Sequence, residues 1–99
     1  MCIALVGGMD RATRDYQRAA QSFGVDLYHF ERDCPSMAQK LNGMDGIIIF
    51  TNRISHRERH KAVENARDAG IPVIMCHSCG VSSLKRCLEG ICVKVKSVQ

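Results

Sequence analysis

Four times along this chain a short run of apolar residues gives way to a segment whose apolar positions recur every three or four residues. The runs are Ile3-Ala4-Leu5-Val6, Val25 to Phe30, Ile47-Ile48-Ile49-Phe50 and Pro72-Val73-Ile74-Met75. Each is short enough for a strand and too short for a buried helix, and β-branched residues dominate the later ones. Successive strand-helix units fold into a parallel sheet with right-handed crossovers, because a returning strand needs a long connection and the connecting helix must cover a sheet face. The expected class is therefore α/β, with strand order 2-1-3-4.

Turn and cap signals divide the segments between the runs. Gly7-Gly8 ends the first strand, and Asp10 is the expected N-cap of a helix whose Ala12, Tyr16, Ala19, Ala20 and Phe23 share one face. Gly24 stops it. Pro35 and Ser36 open a short helix running to Leu41, closed by Asn42-Gly43. Ser55 with Glu58 three positions later is a capping box, so the third helix should start at His56, bury Val63, Ala66 and Ala69, and stop at Gly70. Val81, Leu84 and Leu88 line a last helix, expected to end at Gly90. In the tail, residues 91–99, Val93 and Val95 alternate with Lys94 and Lys96, the pattern of an edge strand lying beside strand four or exchanged with a partner chain.

With 99 residues the chain is one domain near the lower size limit for a self-sufficient core, and a core without Trp and with few aromatics gains from self-association. A symmetric homodimer is the expected assembly, with the tail strand either kept beside strand four or exchanged with the partner. Six cysteines are enough for a disulfide framework, but the periodic segments describe a globular chain with reduced thiols, which points to the cytoplasm. Met1 to Val6 has no basic flank and no cleavage pattern, so it reads as a strand rather than a leader. The apolar runs, Gly46 to Phe50 among them, are far too short to span a bilayer. A formal charge of +4 favours anionic ligands or acidic partners.

In a sheet of this order ligands bind beyond the carboxyl ends of the strands, at the switch point between strands one and three. That edge should gather Gly7-Gly8, His29 to Cys34, Thr51 to His56 and Cys76 to Gly80. Gly7-Gly8 before a helix suits either a small anion or a tight packing turn. The dinucleotide fingerprint is incomplete, since no third glycine follows at the required spacing. His56 and His60 stand one helical turn apart, close enough to share a metal, although Arg57, Arg59 and Lys61 surround them and make a solvated basic face the simpler reading.

Cys76-His77-Ser78-Cys79-Gly80 carries the most chemistry. Two thiols three residues apart, at a strand's end and a helix's start, can bind a soft metal such as iron or zinc, or undergo reversible oxidation. His29, His56, His77 or Cys34 can complete a metal set around Cys76 and Cys79. Cys87 and Cys2 read as structural. No nucleophile elbow or paired-carboxylate constellation is present.

These landmarks together resemble the bacterial domain-of-unknown-function family 2325. The matching stretches are Ile3 to Gly8, Tyr28-His29, Asp45 to His56 with its Asn52, Ile54, Ser55 and His56, Ala66 to Val73, and Ser78 to Leu84. The resemblance reaches to about Leu88. It implies a small Rossmann-like three-layer sandwich with no settled activity, and it marks Gly7, Gly8, His29, Ser55, His56 and Ser78 as crevice residues, with Asn52 beside them. The paired cysteines and the Phe30-Glu31-Arg32-Asp33 stretch depart from the family pattern.

The leading expectation is a cytoplasmic binding module rather than an enzyme. It would take a metal, an oxidant such as oxygen or peroxide, or a small anion, contacted by Cys76, Cys79, His56 and His29. The alternatives are a dithiol oxidoreductase using Cys76 and Cys79, and a weak binder of nucleic acid or an acidic partner through Arg53, Arg57, Arg59 and Lys61. No sequence-specific nucleic-acid binding is expected, because no recognised motif and few stacking groups are present.

Overall fold

A computed structural model describes residues 1–8, 10–30, 37–51, 54–78 and 80–97. Its elements follow in the order β1 (Cys2–Val6), α1 (Thr13–Gln21), β2 (Asp26–Phe30), α2 (Met37–Leu41), β3 (Gly46–Phe50), α3 (His56–Ala69), β4 (Val73–Cys76) and α4 (Val81–Ser97). The four strands form one parallel sheet in the order β2-β1-β3-β4. This is the expected order, and with helices on both faces it gives a Rossmann-like three-layer sandwich.

Strand alternation sends side chains to two separate cores. Ile3, Leu5, Ile48, Phe50 and Cys76 face α1 and α4, where Tyr16, Ala19, Ala20, Leu84, Leu88 and Ile91 meet them. Ala4, Val6, Ile47 and Ile49 face α2 and α3 and pack on Leu41, Ala62 and Ala66. The small residues Ala62 and Ala66 let α3 lie close to the sheet; the expected stripe of Val63, Ala66 and Ala69 is therefore rotated by one residue, with Val63 and Ala69 at its margins. Asp45 ties the central strands together at their starts: its carboxylate accepts from the Cys2 N–H at 2.8 Å, and its own N–H donates to the Cys2 carbonyl at 2.7 Å.

The caps agree with the sequence at α3 and differ at α1. Ser55 has an extended backbone and its hydroxyl accepts from the Glu58 N–H at 3.2 Å, while Gly70 ends the helix in the left-handed conformation at φ 71°. At α1, a turn of 3-10 helix over Asp10–Ala12 comes first, and Ala12 occupies the cap position without a side-chain bond. Asp10 therefore lies before the helix start rather than at its N-cap.

The largest correction concerns the tail. Residues 91–97, expected as an edge or exchanged strand, continue α4, which runs from Val81 to Ser97. Leu84, Leu88 and Ile91 fall at i, i+4 and i+7 and all are fully buried, so the apolar stripe passes straight through Gly90. Extending a helix already formed costs far less than starting a new element, and Gly90 lowers helix preference by only about 1 kcal/mol. A niche favours the extension as well. Gly46, at the start of β3, lacks the Cβ that would collide with the Ile91 side chain.

Candidate functional site

At the carboxyl edge of the sheet the first loop turns sharply out of β1. Gly7 and Gly8 have φ of +86° and +84°, a region that L side chains rarely adopt. A Cβ on Gly7 would lie 2.8 Å from the Phe50 carbonyl oxygen, and one on Gly8 would lie 2.8 Å from the Phe50 ring. Both glycines thus let the loop rest on the end of β3. His29, at the end of β2, fastens the same loop. Its Nε2 is 2.7 Å from the Gly7 carbonyl, and its Nδ1 is 2.7 Å from the Thr13 hydroxyl at the start of α1. A carbonyl only accepts, so Nε2 carries a proton, and in the neutral ring Nδ1 accepts from Thr13. The ring also meets Tyr16 edge-on at 5.9 Å. Gly7, Gly8 and His29, expected at this edge, lie together here, and His29 spends both nitrogens on the chain itself. Thr13 and Tyr16, its partners, carried no sequence signal beyond helix position and core stripe.

A second cluster lies where β3 and β4 end. Phe50 pairs in register with Cys76, and its ring, already against Gly8, leans on Tyr16 at 5.4 Å. One side chain, Phe50, thus separates the glycine loop from the thiol. Just beyond it, the Thr51 hydroxyl lies 3.1 Å from Nδ1 of His77 and 3.4 Å from the Cys76 carbonyl. Cys76 is buried and its thiol donates to the Ser78 carbonyl at 3.0 Å. The Ser78 hydroxyl is 3.5 Å from the Gly80 N–H at the mouth of α4.

Cys87 reaches the same thiol from α4. Its pKa is pushed from 9.0 up to about 12, first by burial and then by the hydrogen bond to Cys76 and that thiol's proximity. Cys2, Cys76 and Cys87 are free thiols. The chain therefore sets Cys87, read from sequence as merely structural, beside Cys76. A signal was present: Ile74 and Cys76 share one strand face, while Leu84, Cys87, Leu88 and Ile91 share one helix face.

The start of α3 forms the third part of the rim. The Ser55 hydroxyl is taken up by capping. His56 is exposed, and its Nδ1 accepts from Nη2 of Arg59 at 3.0 Å. His60, also exposed, pairs through Nε2 with Oε1 of Glu64 at 3.0 Å. The two imidazoles that share a face thus turn to separate partners. Among the described residues no three His, Cys, Asp or Glu side chains are grouped to hold a metal ion. Glu31, Cys34, Asn52, Arg53 and Cys79, named from sequence, lie outside the described residues.

A model of the family described as "Uncharacterized protein conserved in bacteria (DUF2325)" matches residues 2–91. The chain belongs to this family. The match begins in β1 and ends at Ile91 of α4, so it takes in the glycine loop, His29, the start of α3 and both thiols of the Cys76–Cys87 pair. No curated protein matches the chain. The DUF2325 description assigns no activity. No helix among the described residues is long and apolar enough to cross a membrane.

Proposed function

We propose that this DUF2325 domain is a non-catalytic cytoplasmic module that responds to a small oxidant through Cys76. The observation carrying this reading is that Cys76, buried at the carboxyl end of β4, shares one core cluster with Cys87 of α4 and helps to raise its pKa. A hydroperoxide entering the crevice transfers one oxygen to the Cys76 sulfur. The O–O bond breaks, the alcohol or water leaves, and a sulfenic acid remains. A second thiol then attacks that sulfur, expels water and closes a disulfide, so that two thiols are oxidised and one peroxide is reduced. Cys87 supports this role by proximity and Cys79 by its position in the Cys-x-x-Cys stretch. Closure onto Cys87 would tie α4 to the end of β4, and the crevice would then differ between reduced and oxidised protein. The proposed assembly is a homodimer, since so small a core gains from self-association.

The test is thiol counting and peptide mapping on anaerobically purified protein treated with stoichiometric hydrogen peroxide. Wild type should lose two thiols per oxidant consumed, regain them with dithiothreitol and show a linkage that includes Cys76. Cys76→Ser should abolish the loss. Cys87→Ser and Cys79→Ser identify the second thiol. Equal loss in Cys76→Ser, or none in wild type, refutes the reading. Iron and zinc analysis of the same preparation separates oxidation from a metal centre on Cys76 and Cys79, and sedimentation gives the assembly.

A further inference from the structure

β4 is the last strand of the sheet, and it pairs with β3 along one side only. Among the described residues nothing pairs with its outer side, which leaves half of its backbone N–H and C=O groups without a strand partner. Edges of this kind are ordinarily protected by lysine, by proline or by a bulge, because they invite another strand. Val73-Ile74-Met75-Cys76 carries none of these, and Pro72 precedes it. Met75 is 45% exposed, one of two large apolar side chains so exposed among the described residues.

Beside that edge is a groove of about 650 Å³, lined by Met75 and by His56, Arg57, Arg59, His60 and Val63 of α3. Met75 and Val73 point to the α3 side of the sheet, opposite to Ile74 and Cys76. The groove is therefore cationic on its helix wall and apolar on its strand wall. Its one carboxylate contact among the described residues joins His60 to Glu64. Arg59 donates to an imidazole, and Arg57 has no carboxylate partner among the described residues. Among the described residues, then, two guanidinium groups stand beside an open strand edge without a carboxylate partner.

We infer that the β4 edge and the α3 groove together dock an extended acidic segment of a partner protein, which adds a fifth strand and sets alternate Asp or Glu side chains against Arg57 and Arg59. Backbone pairing with an edge supplies affinity, and side chains at every second position supply selectivity. A second copy of this chain fits poorly. The strand it would present, Val73-Ile74-Met75-Cys76, carries no carboxylate to set against Arg57 and Arg59. A nucleic acid satisfies the guanidinium groups but offers nothing to a strand edge. The edge includes the Cys76 backbone, but the Cys76 side chain points to the opposite face of the sheet, and the inference does not depend on the oxidation proposal.

The experiment is fluorescence polarisation with labelled (Val-Glu)₄ peptide at low salt, compared with (Val-Gln)₄, (Val-Lys)₄ and a (Val-Glu)₄ peptide N-methylated at alternate residues. The acidic peptide should bind roughly ten-fold tighter than the glutamine peptide, with the difference shrinking as salt rises. N-methylation should abolish binding, because it removes strand pairing without touching the protein. The Arg57→Gln/Arg59→Gln double substitution, on an exposed helix surface, should erase the acidic preference, and amides of Val73 to Cys76 should gain exchange protection when the peptide is bound. Equal affinity for all three peptides, unchanged binding after N-methylation, or tighter binding of an oligothymidylate than of (Val-Glu)₄ would each overturn the inference. So would concentration-dependent protection of the β4 amides without peptide, which would assign the edge to a second copy.

Discussion

Cys87 has its thiol held by burial and by Cys76, which keeps it protonated to about pH 12 where a free thiol ionises near 9.0. Unfolding exposes the thiol and returns it to the ordinary value. Below pH 9 both states keep the proton and the group has no effect on the pH dependence of stability. Between about 9 and 12 only the unfolded state loses the proton, so stability falls as pH rises through that window. Urea unfolding at several alkaline pH values should show this decline in wild type and a flatter one in Cys87→Ala. Cys76 contributes to the Cys87 shift, so Cys76→Ala should lessen the decline too. At neutral pH an attack on a sulfenic acid by Cys87 is correspondingly slow.

Each helix meets the sheet through a stripe legible in its own sequence. Tyr16, Ala19 and Ala20 seat α1, and Leu84, Leu88 and Ile91 seat α4. What misled at the tail was reading Gly90 as a stop and Val93-Lys94-Val95-Lys96 as alternation. Local pattern cannot tell a half-exposed strand from a helix extension over so few residues, because valine and lysine fit both. A helical glycine makes a sharp test. A Cβ on Gly90 would sit 3.8 Å from Cδ1 of Ile74, in ordinary contact. Gly90→Ala should therefore raise stability by about 0.5–1 kcal/mol, measured as a higher urea midpoint with an unchanged slope. A loss of that size would mean that the segment is not helical in solution. By contrast the capping box at Ser55 was read correctly, since Ser and Glu three apart satisfy backbone groups within one turn and need no distant partner.

At the scale of the whole molecule the decisive contacts join residues distant along the chain. Gly46 and Ile91 meet across the sheet, and neither position announces the other in sequence. Gly46→Ala should drive its methyl into Ile91 and cost about 1–3 kcal/mol by overpacking, while the Gly46→Ala/Ile91→Val pair should recover part of that loss. Thermal or urea denaturation of the single and double variants measures the coupling. Strand order, the separation of two cores and the gathering of Gly7, His29, Thr51 and Cys76 at one edge were all readable from the alternation of strand and helix signals, because parallel crossover topology leaves few arrangements. The partners within that edge were not. That His29 would bind Gly7 and Thr13, that Phe50 would fill the space above Gly8, and that Cys87 would reach Cys76 depend on the register between strands and on how far each helix advances over the sheet. Sequence by itself determined the elements, their order and the rim on which chemistry can occur, since these follow from periodicity and local capping. Only the tertiary structure decided which thiol faces which, where the last helix ends and which edge stays open, because those depend on side chains competing for the same few ångströms of space.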